Sequence, residues 1–128
     1  MLAALSLPGN VAVIISNAFS LNMLNRSCRI DAERIDLQQA RALSASARSA
    51  VGHAETAAVF TNLLGHPVAH HRQSLTWDGT EPMLVGQYQG PRLPEGATSL
   101  PDGAVIVWWL LRAVDRTAEF GKQPRGSA

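Results

Sequence analysis

Two unbroken apolar runs do most to limit the fold: "VAVIIS" at residues 11–16 and "AVIVWWLL" at residues 104–111. A strand with one wet face alternates apolar and polar side chains, whereas a strand covered on both faces reads as a continuous Val/Ile/Leu run. Each run therefore predicts a buried strand. Neither can cross a bilayer, because a spanning helix needs about 20 apolar residues, so no membrane partner is expected.

Between these runs the pattern changes period several times. "RIDAERI" (29–35) alternates weakly and predicts a second, more exposed strand. Asp36 then serves as an N-cap, with Gln39 three residues on completing a capping box. Leu37, Ala40, Leu43 and Ala47 form the inward stripe of a first helix. Residues 49–52 break that pattern, and a second helix starts near His53. Val59, Phe60, Leu63 and Leu64 share its buried face, and Gly65 stands where a left-handed cap ends many helices. "PVAHHRQSL" (67–75) predicts a third strand, Asp78-Gly79 a turn, and "MLVGQYQ" (83–89) a fourth strand. "GPRLPEG" (90–96) is a loop stiffened by Pro91 and Pro94. Helices interspersed among apolar strands predict an α/β fold. The expectation is a single domain over residues 11–114 with a mixed, roughly five-stranded sheet and flanking helices. The pattern leaves the strand order open. Residues 1–10, broken by Pro8-Gly9-Asn10 and without a positive leading segment, read as an extension rather than a signal peptide. Residues 115–128 read as a polar tail.

Charge narrows the function. Only 16% of the 128 residues are charged and the net charge is +1, against a usual charged fraction of ~25%. A small domain so poor in charge is expected to cover apolar surface with a second copy, as a homodimer. Wrapping of long nucleic acid usually shows as a basic excess and is not expected. The single cysteine, Cys28, excludes an internal disulfide and a thiolate zinc cluster, so a cytoplasmic setting is expected.

Several polar residues stand out. His53 follows Gly52 at a helix N-terminus, where unpaired N–H groups favour anions, and the glycine permits close approach by a ligand. The helix dipole lowers a histidine pKa there, while a bound phosphate raises it; the sequence leaves the balance open. Arg92 and Glu95 lie three apart in the proline-stiffened loop, where a surface ion pair is the plainer reading. Ser20 and Asn22 lie just past a buried strand, where ligands bind in open α/β sheets. A turn satisfied by its own side chains is the alternative there. His66, His70 and His71 lack a nearby carboxylate within their run, so neither a metal nor another cofactor is expected.

"NAFSLNML", "AVGHAETAAVFTNLLG", "HHR" and "GPRLPEG" together resemble, in order and approximate spacing, a family of small viral and bacterial proteins: the type III anti-CRISPR ring nucleases and their CRISPR-associated bacterial relatives. The likeness spans about residues 11–96. It implies a homodimeric α/β protein with one pocket at the subunit interface and cyclic tetra-adenylate as substrate, cleaved without a metal. It implies that His53 is catalytic, with Arg92 and Glu95 of the "RLPE" motif in the same site. Ser20, Asn22 and Arg72 fall on substrate-binding positions, with Asn17 and Gly52 beside them. The segment before the first strand is longer than is usual for the family, and "TSLPDG" replaces an acidic helix after "LPEG".

Those residue types suit RNA cleavage by an internal ribose 2′-OH. Such a step needs in-line geometry, charge stabilisation at phosphorus and a proton for the departing 5′-oxygen. Histidine, with an ordinary pKa of ~6.5, supplies the proton near neutrality; arginines hold phosphates through paired N–H groups. The expected function is a metal-independent ring nuclease giving linear di-adenylates and switching off type III CRISPR signalling. A module that binds the ring without cutting it is the main alternative, and a dimeric structural or DNA-binding protein a third.

Overall fold

The computed structural model describes residues 12–71 and 75–114. Strand β1 (Val13–Ser16) is buried at every position, which is why its sequence shows no alternation. Strand β2 (Arg29–Ile35) follows, then helix α1 (Leu37–Ser44), strand β3 (Ala47–Ser49), helix α2 (Ala54–Leu64), strand β4 (Met83–Gln89) and strand β5 (Val105–Val114). They form one five-stranded sheet in the order β2-β5-β4-β1-β3. β1 runs parallel to β3 and to β4, while β5 runs antiparallel to both β2 and β4. The sheet is therefore mixed, as expected.

Each face of the sheet has its own core. On one face, α1 and α2 bring Ala40, Ala57, Phe60 and Leu64 against Val13, Ile15, Leu84, Trp108 and Leu110. On the other, no α-helix packs among the described residues; Ile14, Met83, Val85 and Leu111 are instead covered by Trp77 with Phe19, Met23 and Leu24 from connecting segments. Burying Trp77 requires a partner for its indole N–H, and it donates to the Glu81 carbonyl at 2.6 Å.

The helix boundaries follow local chemistry. Asp36 Oδ1 accepts from the Gln39 N–H at 2.8 Å, and the Asp36 N–H donates to Gln39 Oε1 at 3.0 Å. Gly65 ends α2 at φ 76° with its N–H on the Thr61 carbonyl. The Arg41 guanidinium donates to the Leu63 carbonyl at 2.9 Å, placing a cation at the negative end of α2.

The structure corrects the sequence reading in three places. α1 stops at Ser44, so Ala47 is not part of its stripe; residues 47–49 form the short edge strand β3, in register Val13↔Ala47, Ile14↔Arg48 and Ile15↔Ser49. The expected strand at 67–75 is absent from its described residues, which make only the isolated bridge Val51↔His70. The reason is where the backbone donors go. Pro67 has none, Val68 donates to Thr61 Oγ1 at 2.9 Å, and only the His71 N–H reaches the extended chain, on the Val51 carbonyl at 2.8 Å. The last strand also runs three residues past its expected end at Leu111.

Gly86 lies where α2 meets the sheet. A Cβ there would stand 2.5 Å from Phe60 Cζ and 2.6 Å from Trp108 Cζ3. Those two rings pack at 5.0 Å between centroids and are themselves buried, so neither has room to withdraw. Gly86→Ala is expected to destabilise the protein by about 1–3 kcal/mol through overpacking, read as a lower urea midpoint with an unchanged slope.

Candidate functional site

Parallel pairing of β1 with β3 and β4 brings the carboxyl ends of those strands to one edge of the domain. The segments leaving these ends carry the candidate residues. Asn17, Ser20 and Asn22 follow β1, Gly52 and His53 follow β3, and Arg92 and Glu95 follow β4. Side chains far apart in the chain thus meet where ligands bind in open α/β sheets.

Two cavities open there, and His53 lines both. One, of about 970 Å³, is lined by His53, Glu55, Tyr88, Arg92 and Glu95 among others. The second, of about 370 Å³, is lined by Asn17, Ser20, Asn22, Gly52 and His53 among others. Arg72 lies outside the described residues.

His53 is the N-cap of α2, in extended conformation (φ −125°, ψ 129°), and its imidazole makes no capping bond. Its backbone is held, while among the described residues no hydrogen bond to its ring is found. The His53 carbonyl accepts from the Ala57 N–H at 2.9 Å, the Gly52 N–H donates to Asn17 Oδ1 at 3.3 Å, and the Gly52 carbonyl lies 3.2 Å from His70 Nε2. An imidazole on a fixed stem, exposed and unspent on local bonds, is available to a ligand. The positive end of the α2 dipole adds attraction for an anion at the same place.

The segment after β1 makes a tight turn. Ser16 Oγ donates to the Ala18 carbonyl at 2.7 Å and accepts from the Ala18 N–H. Ser20 and Asn22 then flank the exposed Leu21 at a single 3-10 turn, Leu21–Met23. The Ser20 hydroxyl makes no capping bond, and Ser20 lines the smaller cavity.

The loop carrying Arg92 and Glu95 is pinned from several sides. The Tyr88 hydroxyl donates to the Pro91 carbonyl. The Ala97 N–H donates to the Pro94 carbonyl at 3.0 Å, and Asn62 Nδ2 to the Thr98 carbonyl at 3.0 Å. Both charged side chains are exposed. Among the described residues the ion pairs are Arg48–Glu81 at 2.8 Å and Arg112–Glu33 at 2.7 Å, and neither Arg92 nor Glu95 takes part in one. No hydrogen bond joins His53 to Glu95 among the described residues.

The carboxylate that does reach across the site is Glu55, which sequence reasoning missed. In the first turn of α2, its Oε2 accepts from the Gly96 N–H at 3.1 Å. That bond, then the bond from its own N–H, hold the carboxyl below its ordinary range, and the charges of His53 and His70 act in the same direction. The partner is 41 residues away, and nothing in the local pattern marks it. Among the described residues no group of three or more His, Cys, Asp or Glu is placed to hold a metal ion.

A mixed α/β sheet with a cleft built from the loops after its parallel strands defines the class of protein. The chain belongs to the STIV B116-like family, whose profile matches residues 13–102. Among solved structures, B116 of Sulfolobus turreted icosahedral virus (STIV) has the same fold. It matches with a TM-score of 0.62 and 23% sequence identity over 78% of this chain and 97% of that chain. No curated protein matches the chain. No helix of the described residues is long and apolar enough to cross a membrane.

The lowered Glu55 pKa has a definite sign. A carboxyl held below its unfolded value contributes stability above the ordinary glutamate range, and the contribution disappears as pH falls through the folded value. A carboxyl-detected NMR titration of Glu55 is expected to show a midpoint below that of a free glutamate. A midpoint at the ordinary value would mean that the bond to Gly96 does not form in solution.

Proposed function

We propose that the protein is a metal-independent ring nuclease that cleaves cyclic tetra-adenylate and so switches off type III CRISPR signalling. The single observation that carries this reading is the position of His53, an exposed imidazole without a capping bond at a helix N-terminus, lining two cavities. One cavity brings the Arg92 and Glu95 side chains, the other the amide and hydroxyl groups of Asn17, Ser20 and Asn22. Membership of a family with a viral relative is consistent with it. The resemblance in the "GH" and "RLPE" motifs supports it further.

In this reaction the ribose 2′-oxygen bonds to the adjacent phosphorus and the bond from phosphorus to the 5′-oxygen breaks. The 2′-OH proton leaves to water. Protonated His53 gives its proton to the departing 5′-oxygen, and the product end is a 2′,3′-cyclic phosphate. Arg92 offsets charge at the phosphate, and Arg72 serves a second one. Ser20, Asn22 and the free amides of α2 hold the ribose and phosphate in line, the arrangement on which such an internal attack depends. The nucleophile belongs to the substrate, so the chemistry calls for no metal-activated water.

The proposed assembly is a homodimer with one ring across the two-fold axis. Two copies each of Arg72 and Arg92 then face four phosphates, which lets a chain of net charge +1 hold a polyanion. Opposed copies of His53 cut opposite linkages and release di-adenylates.

The test is incubation of the purified protein with cyclic tetra-adenylate in EDTA, followed by separation of products. Linear di-adenylates are expected. Binding with an intact ring after long incubation would instead make the protein a sequestering module, and absence of binding would overturn the reading. His53→Ala is expected to bind the ring and cleave it about 10²–10⁴-fold more slowly, the usual range for loss of a general acid. Arg92→Ala should weaken affinity, and wild-type binding should fall as salt rises.

A further inference from the structure

We infer that Glu55 is a positioning residue: its carboxylate ties the loop bearing Arg92 and Glu95 to the first turn of α2, whose N-cap is His53. The role rests on the ring-nuclease reading for its effect on cleavage, whereas the tie itself stands on geometry alone.

The loop from Gly90 to Gly96 enters and leaves through glycines of positive φ, at 152° and 80°. At its entry the Tyr88 hydroxyl holds the Pro91 carbonyl, and Gly90 packs against Ala104. At its exit the backbone turns at Gly96, and the left-handed conformation presents its N–H to Glu55 at 3.1 Å. A Cβ at Gly96 would meet no atom within 4 Å. The tight turn there therefore reflects backbone direction rather than crowding.

Glu55 lies two residues from His53, on a helix whose Val59, Phe60 and Leu64 are locked in the core. The bond therefore joins an exposed loop to a helix anchored in the core. Its strength comes from charge assistance: a carboxylate accepting a backbone N–H binds more strongly than a neutral acceptor. The depressed Glu55 pKa is consistent with that bond. The loop's remaining ties, from Tyr88, within Pro94–Ala97, and from Asn62 in the last turns of α2 to Thr98, do not reach the α2 N-terminus. Only Glu55 links that loop to the α2 N-terminus by a side chain among the described residues.

The test compares Glu55→Ala and Glu55→Gln in the full-length protein by two independent readouts. The first is hydrogen exchange at the Gly96 amide, which needs no substrate. Glu55→Ala is expected to speed it about tenfold, the scale of one lost bond to a charged group, while α2 amides stay as in the wild type and the melting temperature falls only slightly, as the loss of one exposed tie requires. Glu55→Gln keeps an acceptor oxygen and should restore most of the protection. The second readout is single-turnover cleavage of cyclic tetra-adenylate. Glu55→Ala should slow it about tenfold by the same bond, Glu55→Gln should recover most of the rate, and adding Glu55→Ala to Arg92→Ala should cost little more, because both act through one group. Unchanged exchange at Gly96 would overturn the tie. Faster exchange with an unchanged cleavage rate, in a protein whose wild type cleaves the ring, would overturn the positioning role. A wild type that neither binds nor cleaves the ring would overturn the enzymatic reading, leaving the exchange result to decide the tie by itself.

Discussion

The parallel pairing of β1 with its two neighbours is the constraint on which everything else depends. Antiparallel neighbours would send the segments after β1, β3 and β4 to opposite ends of the sheet. Because these strands share a direction, residues 17, 53 and 92 arrive together although the intervening chain is long. A parallel connection needs a crossover, and the chain supplies two: α1 between β1 and β3, with β2 on the way, and α2 before β4. The helices are thus needed twice, to cover one face and to return the chain to the same starting edge.

Electrostatics at the cleft come from placement rather than quantity. The protein is nearly neutral, yet the backbone segments that carry His53 and Arg92 are held by hydrogen bonds. Asn17, His70 and Ala57 fix the peptide groups around His53, and prolines stiffen the Arg92 loop. Little conformational freedom is left to lose when an anion enters, which favours binding even by few charges.

Much of this was legible in the sequence because it depends on neighbours in the chain. The Asp36–Gln39 box, the Gly65 cap and the buried run of β1 all report interactions within a few residues, and the structure contains each of them. Ala47–Ser49 carries no such signal. "ARS" has neither alternation nor an apolar run, and it is a strand only because β1 offers it an edge. The segment 67–75 shows the converse, since a strand was expected there while in its described part Thr61 takes the Val68 backbone donor that a ladder needs. The grouping of Asn17, His53, Arg92 and Glu95 came from motif order, not from periodicity. Glu55 escaped notice because its partner depends on how α2 and the loop after β4 are brought together, a tertiary fact with no local trace.

The strand at the outer margin of the sheet has a consequence for how these molecules behave in a crowd. Among the described residues β2 pairs only with β5, so one row of its peptide groups has no ladder partner there. Its exposed positions include Arg29, Asp31 and Arg34, and a ribbon studded with both signs of charge makes a poor template for another chain. Fibre-like growth by sheet extension is thereby discouraged at that margin, while the opposite one, only three residues long at β3, offers too few rungs to start it.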